Sequence, residues 1–265
     1  MKRILFYVLS FFFAAANVYG ISPAKEYKFK PSDIKLNYDE YKVGGSDGQC
    51  MNVWYMPSRV KNKKNTCILI VGSDSGNMGY SLPYVTGLLA NGFDVVSFDY
   101  RGFGESSAFK HSSKKLYHKE YVDDFVSVLS WVKREKKPAR VGCMAFSMGS
   151  IICNLGKSKE GFGFLVSEGF ITSPQKLVAR IQKGKDKKVV LPLLERSYEK
   201  EMEAYKIPML IFASSTEKIT TLEDAKTFAA KAANRKIIAH DGGHLAGART
   251  IGVKEYIGLI TDFLK

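Results

Sequence analysis

Ser147 sits in AFSMGS, residues 145–150, directly after the apolar run Arg140-Val141-Gly142-Cys143-Met144. A buried strand that turns sharply into a helix lifts the residue at the junction above the carboxyl edge of a sheet, where open α/β folds bind ligands. The turn is tight, so the residues two before and two after the serine must be small, as Ala145 and Gly149 are. The free N–H groups at the start of the following helix face any negative charge developing beside the serine. A serine in this setting is a candidate nucleophile. The literal pattern Gly-x-Ser-x-Gly occurs elsewhere, at Gly44-Gly45-Ser46-Asp47-Gly48. Ser46 lies between two strand-like stretches, Ile34–Val43 and Gln49–Met56, joined by hairpin residues with no helix behind them. It reads as a turn residue.

The elements around Ser147 supply the expected frame. From Thr66 onward apolar strand runs alternate with amphipathic helices: Cys67–Val71, Pro83–Ala90, Val95–Phe98, Tyr121–Lys133, Val141–Ala145, Met148–Leu155 and Phe162–Val166. The pattern resumes with Met209–Ala213, Leu222–Ala233, Lys236–Ala239 and Val253–Phe263. Uninterrupted apolar strands predict a mostly parallel central sheet covered by helices on both faces, an α/β fold. Thr172–Lys206 breaks the pattern, being highly charged and helical in period around the apolar island VVLPLLER. Two readings stay open for residues 172–206: a small cap insertion over a site, or an ordinary crossover with long loops.

At 265 residues the chain has room for one large domain or two small ones. Lys2-Arg3 precede an apolar run from Ile4 to Ala16, then small residues and the break Ile21-Ser22-Pro23. This is the layout of a secretory signal, cleaved after Ala16 or after Gly20. The rival, an uncleaved membrane anchor, needs roughly 20 apolar residues. The domain layout expected is a signal peptide over 1–20 and one domain over 21–265, exported to a periplasm or secreted. Loss of Lys2 and Arg3 takes the formal charge from +14 to +12. The excess is spread along the chain, densest at Lys183–Lys188, and no aromatic-plus-basic motif for nucleic acid accompanies it. It reads first as a solvated cationic surface and second as a weak attraction to anionic envelope polymers. The four cysteines form no metal or disulfide pattern. They read as buried thiols, with Cys50 and Cys67 the one pair worth checking.

Over roughly Ile34 to Lys265 the sequence resembles the α/β-hydrolase superfamily. Besides the Ser147 elbow it carries FDYRGFGES, Phe98 to Ser106, similar to a turn after the fourth strand in many such enzymes. Gly102 and Gly104 read as turn geometry there, and Asp99 and Arg101 as structural partners. The resemblance implies an α/β-hydrolase fold and a triad in the order Ser, acid, His. Only His240 and His244 follow Ser147. His244, in the glycine-flanked loop DGGHLAG, takes the base position, and His240 at a strand end reads as a packing residue. The acid is assigned to Glu217, beyond the strand in IPMLIFASSTEKIT. The alternative acid is Glu168 in LVSEGF, and Asp241 stands too close to His244 in sequence. The oxyanion donors implied are the backbone N–H groups of Met148 and Asp74. Many relatives open the second loop with His-Gly, where this chain has Gly72 and Ser73.

The expected activity is an exported serine hydrolase that cleaves a carboxylic ester through an acyl-enzyme, needing no metal or organic cofactor. A small-molecule acyl compound is the expected partner. A peptidase or amidase on the same fold is the second reading. The third is a catalytically inert protein of this fold that binds a ligand, which the altered VGSDSGN loop favours.

Overall fold

Thr66-Cys67-Ile68-Leu69-Ile70-Val71 is apolar at every position but the first, and all six residues are buried, as befits a strand covered on both faces. It is one of ten strands and eight α-helices in a computed structural model that describes residues 20–184, 188–192 and 198–265. Apart from Gly20, the predicted signal segment lies outside the described residues. In chain order the elements are β1 (Ser22–Pro23), β2 (Asp39–Gly44), β3 (Cys50–Met56), β4 (Thr66–Val71), β5 (Ser75–Gly76), α1 (Leu82–Ala90) and β6 (Asp94–Phe98). There follow α2 (Glu120–Trp131), β7 (Arg140–Phe146), α3 (Met148–Lys157), β8 (Leu165–Glu168), α4 (Pro174–Gly184) and α5 (Tyr198–Glu203). The chain closes with β9 (Met209–Ser214), α6 (Leu222–Ala229), β10 (Arg235–His240), α7 (Gly247–Ile251) and α8 (Val253–Phe263).

Eight strands form one sheet in the order β10-β9-β8-β7-β4-β6-β3-β2. From β10 to β6 all neighbours run parallel, and β3 and β2 add an antiparallel edge. The chain leaves β4 toward β6 and later returns to lay β7 on the other flank of β4. That reversal makes β4 and β7 the switch point, where the loops leaving the two strands part over a crevice. One face of the sheet is packed by α1 and α8, through Leu82, Val85, Leu88, Tyr256, Ile257 and Ile260. The other is packed by α2, α3 and α6, through Phe125, Leu129, Ile151, Ile152 and Phe228.

Several boundaries differ from the sequence reading. The strand expected over Ile34–Val43 is β2 and begins only at Asp39, because Pro31–Ile34 forms a 3₁₀ turn that Lys35 ends in the left-handed region, at φ 57°. Cys50 is exposed at the start of β3, so only Cys67, Cys143 and Cys153 are buried thiols, and all four cysteines are free. Ser46 sits in the β2–β3 turn, closed by a Gly45 N–H bond to the Gln49 carbonyl at 2.6 Å. Within 172–206, Leu177, Ile181, Val189, Tyr198 and Met202 are buried in the core on the α3 face. Residues 185–187 and 193–197 of that stretch lie outside the described residues.

In FDYRGFGES, Arg101 and Asp124 of α2 form a buried pair, with Nε at 2.8 Å and Nη2 at 2.6 Å from Oδ1. The Arg101 side chain is 5% exposed and that of Asp124 is fully covered. Removing Asp124 takes away the buried partner of Arg101 and leaves it only Asp47, 2.6 Å from Nη1 with a side chain 48% exposed. Asp124→Ala is expected to cost about 3 kcal/mol, the low end for a broken buried pair because Asp47 remains, read as a fall in the thermal unfolding midpoint of about 6–12 °C.

Candidate active site

The elbow is built by conflict between strand and helix. Ser147 has φ 48° and ψ −113°, a conformation that L side chains rarely adopt, held by its N–H bond to the Glu168 carbonyl at 3.0 Å. The Ser147 carbonyl in turn accepts from the Ser150 N–H and from Ser150 Oγ, each at 2.8 Å. Gly149 is required by packing, since a Cβ there would stand 2.3 Å from the Val71 carbonyl oxygen and 2.8 Å from that of Gly72. The start of α3 is thereby pressed against the loop leaving β4.

Ser147 Oγ lies 3.0 Å from Nε2 of His244, and the Nδ1 of that imidazole is hydrogen-bonded to Oε2 of Glu217. The three side chains come from loops after β7, β10 and β9, all at the carboxyl edge of the sheet. The acid and base loops are laced together: Ser214 Oγ donates to the Gly242 carbonyl, and the Ser215 N–H reaches the His240 carbonyl at 2.8 Å. Thr220 donates through Oγ1 to Glu217 Oε2 at 2.9 Å, and the Glu217 N–H is held by Ser214 Oγ at 3.1 Å. The Glu217 side chain is 7% exposed while that of His244 is 39% exposed, so the imidazole keeps a solvent-facing side. Behind the ring stands Gly169, at φ 64°, where a Cβ would come within 2.8 Å of His244 Cε1.

Glu168, the alternative acid, is turned elsewhere. Its carboxylate accepts from the Gly247 N–H at 2.6 Å and from the Tyr256 hydroxyl at 3.0 Å, and His240 Nε2 stands 3.8 Å away. It anchors the segment that follows His244 to the floor of the sheet. His240 is buried at the end of β10, and Asp241 is exposed.

Asp74 lies in the loop beside the elbow, and a strap formed by the first described residues holds that loop. β1 pairs in parallel with β5, the Ser22 N–H reaches the Asp74 carbonyl at 2.8 Å, and Asn77 Nδ2 donates to the Glu26 carbonyl at 2.7 Å. Burial pushes the Asp74 carboxyl up, against His244 and main-chain hydrogen bonds from Asp74 itself and Gly20. Sequence reasoning missed this strap, along with Gly169 and Thr220. The glycine after Glu168 was the one available signal.

The electrostatics favour an imidazolium beside an ionised acid. Burial pulls the His244 pKa down, but the Glu217 hydrogen bond and charge, with Asp74 and Glu168 beyond, carry it above its ordinary 6.5. Burial pushes Glu217 up, yet the bonds from His244 and Thr220 bring it below 4.5. A base must be neutral to take a proton. If His244 is that base, kcat/KM is expected to rise with pH through an acid limb centred above 6.5 and then to level, as a pH–rate profile on any hydrolysed ester would show.

A parallel sheet with a strained serine at its switch point and a histidine-bearing loop after the last strand is the α/β-hydrolase arrangement. Comparison with known proteins agrees. The family profile described as the alpha/beta hydrolase fold matches residues 72–155. The uncharacterised protein YfhR of Escherichia coli is 25% identical over 211 residues, covering 75% of this chain and 70% of the relative. Its counterpart in Salmonella typhimurium is 22% identical over 257 residues, covering 89% and 80%. Among solved structures, the Pyrococcus furiosus esterase Pf2001 superposes with a TM-score of 0.74 at 18% identity, covering 92% of this chain and 98% of that one. XC6422 from Xanthomonas campestris, an α/β serine hydrolase without lid, gives 0.60 at 12% identity, covering 86% and 94%. The chain has the α/β-hydrolase fold, and the segment that carries its serine elbow matches the profile of that fold.

Proposed function

We propose that the protein is an exported serine hydrolase that cleaves carboxylic esters, with Ser147 as nucleophile, His244 as general base and Glu217 as its orienting acid. The observation that carries this reading is the hydrogen-bonded chain from Ser147 Oγ through both nitrogens of His244 to Glu217. His244 takes the Ser147 proton as Oγ attacks the acyl carbonyl, and the tetrahedral oxyanion is held by the N–H groups of Met148 and Asp74. Collapse expels the alcohol, which receives that proton from His244. Water, deprotonated by His244, then attacks the acyl-enzyme and frees the acid and Ser147. Esterases of the same fold, such as Pf2001, support an ester over an amide.

The experiment is hydrolysis of an activated ester against the matched anilide by the protein lacking residues 1–20. The ester is expected to turn over faster by at least 10²-fold, given how much poorer a leaving group the amine is. A preference for the anilide would replace the ester reading by an amidase or peptidase. Export rests on the N-terminal sequence, and the mature protein is expected to begin at Asn17 or Ile21 in N-terminal sequencing.

A further inference from the structure

A cavity of about 70 Å³ opens beside the reacting groups, on the α1 face of the sheet. Its rim is made by Gly72 and Ser73, Phe146, and Leu245. These are close chain neighbours of Asp74, Ser147 and His244, which sets the cavity next to the proposed machinery. Leu245 is set there by a left-handed backbone, φ 55°, that a bulky residue adopts only when its surroundings impose it.

The strand register gives the depth of the cavity. Ile70 and Ser97 are register partners on β4 and β6, and both line the cavity two residues below the rim position Gly72. At about 3.3 Å per residue that layer lies roughly 7 Å down. About five carbon–carbon bonds of ~1.5 Å, laid in a zigzag, span it. The floor is closed by the hydroxyl pair Ser97 and Ser81, at 3.0 Å, with Ser81 donating onward to the Met78 carbonyl at 2.7 Å. Asp99 also lines the cavity, but its oxygens are engaged by the Met78 N–H at 2.7 Å and by the Tyr27 hydroxyl. Among the described residues no cationic side chain lines the space, so a negatively charged ligand group would find no counter-charge from them and would meet the Asp99 carboxyl.

His244 must hand its proton to the leaving alcohol, and its exposed side faces solvent. The alcohol therefore departs outward and the cavity is left for the acyl group. Resting on the ester-hydrolase reading, we propose that this cavity is the acyl site and that it selects uncharged, short acyl chains of about four to six carbons.

The test is a series of p-nitrophenyl esters with one leaving group and acyl chains from acetyl to dodecanoyl. The expected kcat/KM peaks at four to six carbons and falls at least tenfold by ten, and a succinyl half-ester is rejected relative to butyryl. Ser97→Val, which fills the floor, is expected to lower the hexanoyl-to-acetyl ratio at least fivefold, while Ser97→Ala leaves the optimum no shorter. A flat profile, or an optimum at long chains, overturns the assignment. So does length dependence confined to acetate esters of different alcohols, which would make this the leaving-group site. Fluorophosphonate labelling of the same preparation separates the two layers. A labelled protein with the wrong profile overturns the cavity assignment alone, whereas no labelling and no ester turnover overturns the hydrolase reading beneath it.

Discussion

Ser147→Ala is expected to abolish covalent labelling by a fluorophosphonate probe and to lower ester turnover by at least about 10³-fold, with the fold intact. The size follows from what is lost: the attacking oxygen itself, together with the hydrogen bond that delivers its proton to His244 Nε2 at 3.0 Å. Alanine accepts the same φ of 48° that serine does, and the N–H bond to the Glu168 carbonyl is main chain, so the elbow keeps its shape. Ser46→Ala is the matched control. Its hydroxyl lies in the β2–β3 turn, at the antiparallel edge of the sheet, and labelling of that variant is expected to equal wild type. Label retained in Ser147→Ala would mean that another residue is the reactive group. Ligand binding without any labelling, unaltered by the substitution, would favour an inert binding protein of this fold.

What the sequence shows of this site is uneven, for physical reasons. β4, β7 and β9 are legible because strands buried on both faces must be apolar throughout, and all or nearly all of their residues are covered. The elbow is legible because backbone crowding demands small residues at 145 and 149, a local constraint written in local sequence. The choice between Glu217 and Glu168 is not legible in the same way. Both stand at or just beyond the carboxyl ends of adjacent strands, and their roles are divided by where the His244 loop lies. That depends on Gly169 leaving room for the imidazole ring and on the hydroxyls of Ser214 and Thr216 gripping the Gly242 carbonyl. The strap of β1 on β5 is equally hidden, since two residues paired across some fifty positions carry no periodicity of their own. The shortened β2 is a local miss, because Pro31 fits the start of a helical turn and its 3₁₀ turn delays the strand to Asp39.

Glu217→Gln and Glu168→Gln, measured side by side, are expected to separate by orders of magnitude. Glutamine at 217 keeps the size of the side chain but removes the charge that balances an imidazolium, and it weakens the bond that fixes the proton on Nδ1. Loss of that orienting carboxylate is expected to lower kcat on the order of 10⁴-fold. It also leaves burial as the main influence on His244, so the acid limb of any residual activity moves to lower pH. Glutamine at 168 can still accept from the Gly247 N–H and can donate to the Tyr256 hydroxyl, so the base loop stays anchored. Its effect on kcat is expected to stay within about tenfold, the span of one modest hydrogen-bond rearrangement. A small downward move of the acid limb accompanies it, because the Glu168 charge also raises His244. The opposite ranking, with Glu168→Gln crippled and Glu217→Gln near wild type, would transfer the acid role to Glu168. It would also require the His244 loop to rotate on substrate binding, because Glu217 rather than Glu168 meets Nδ1 here.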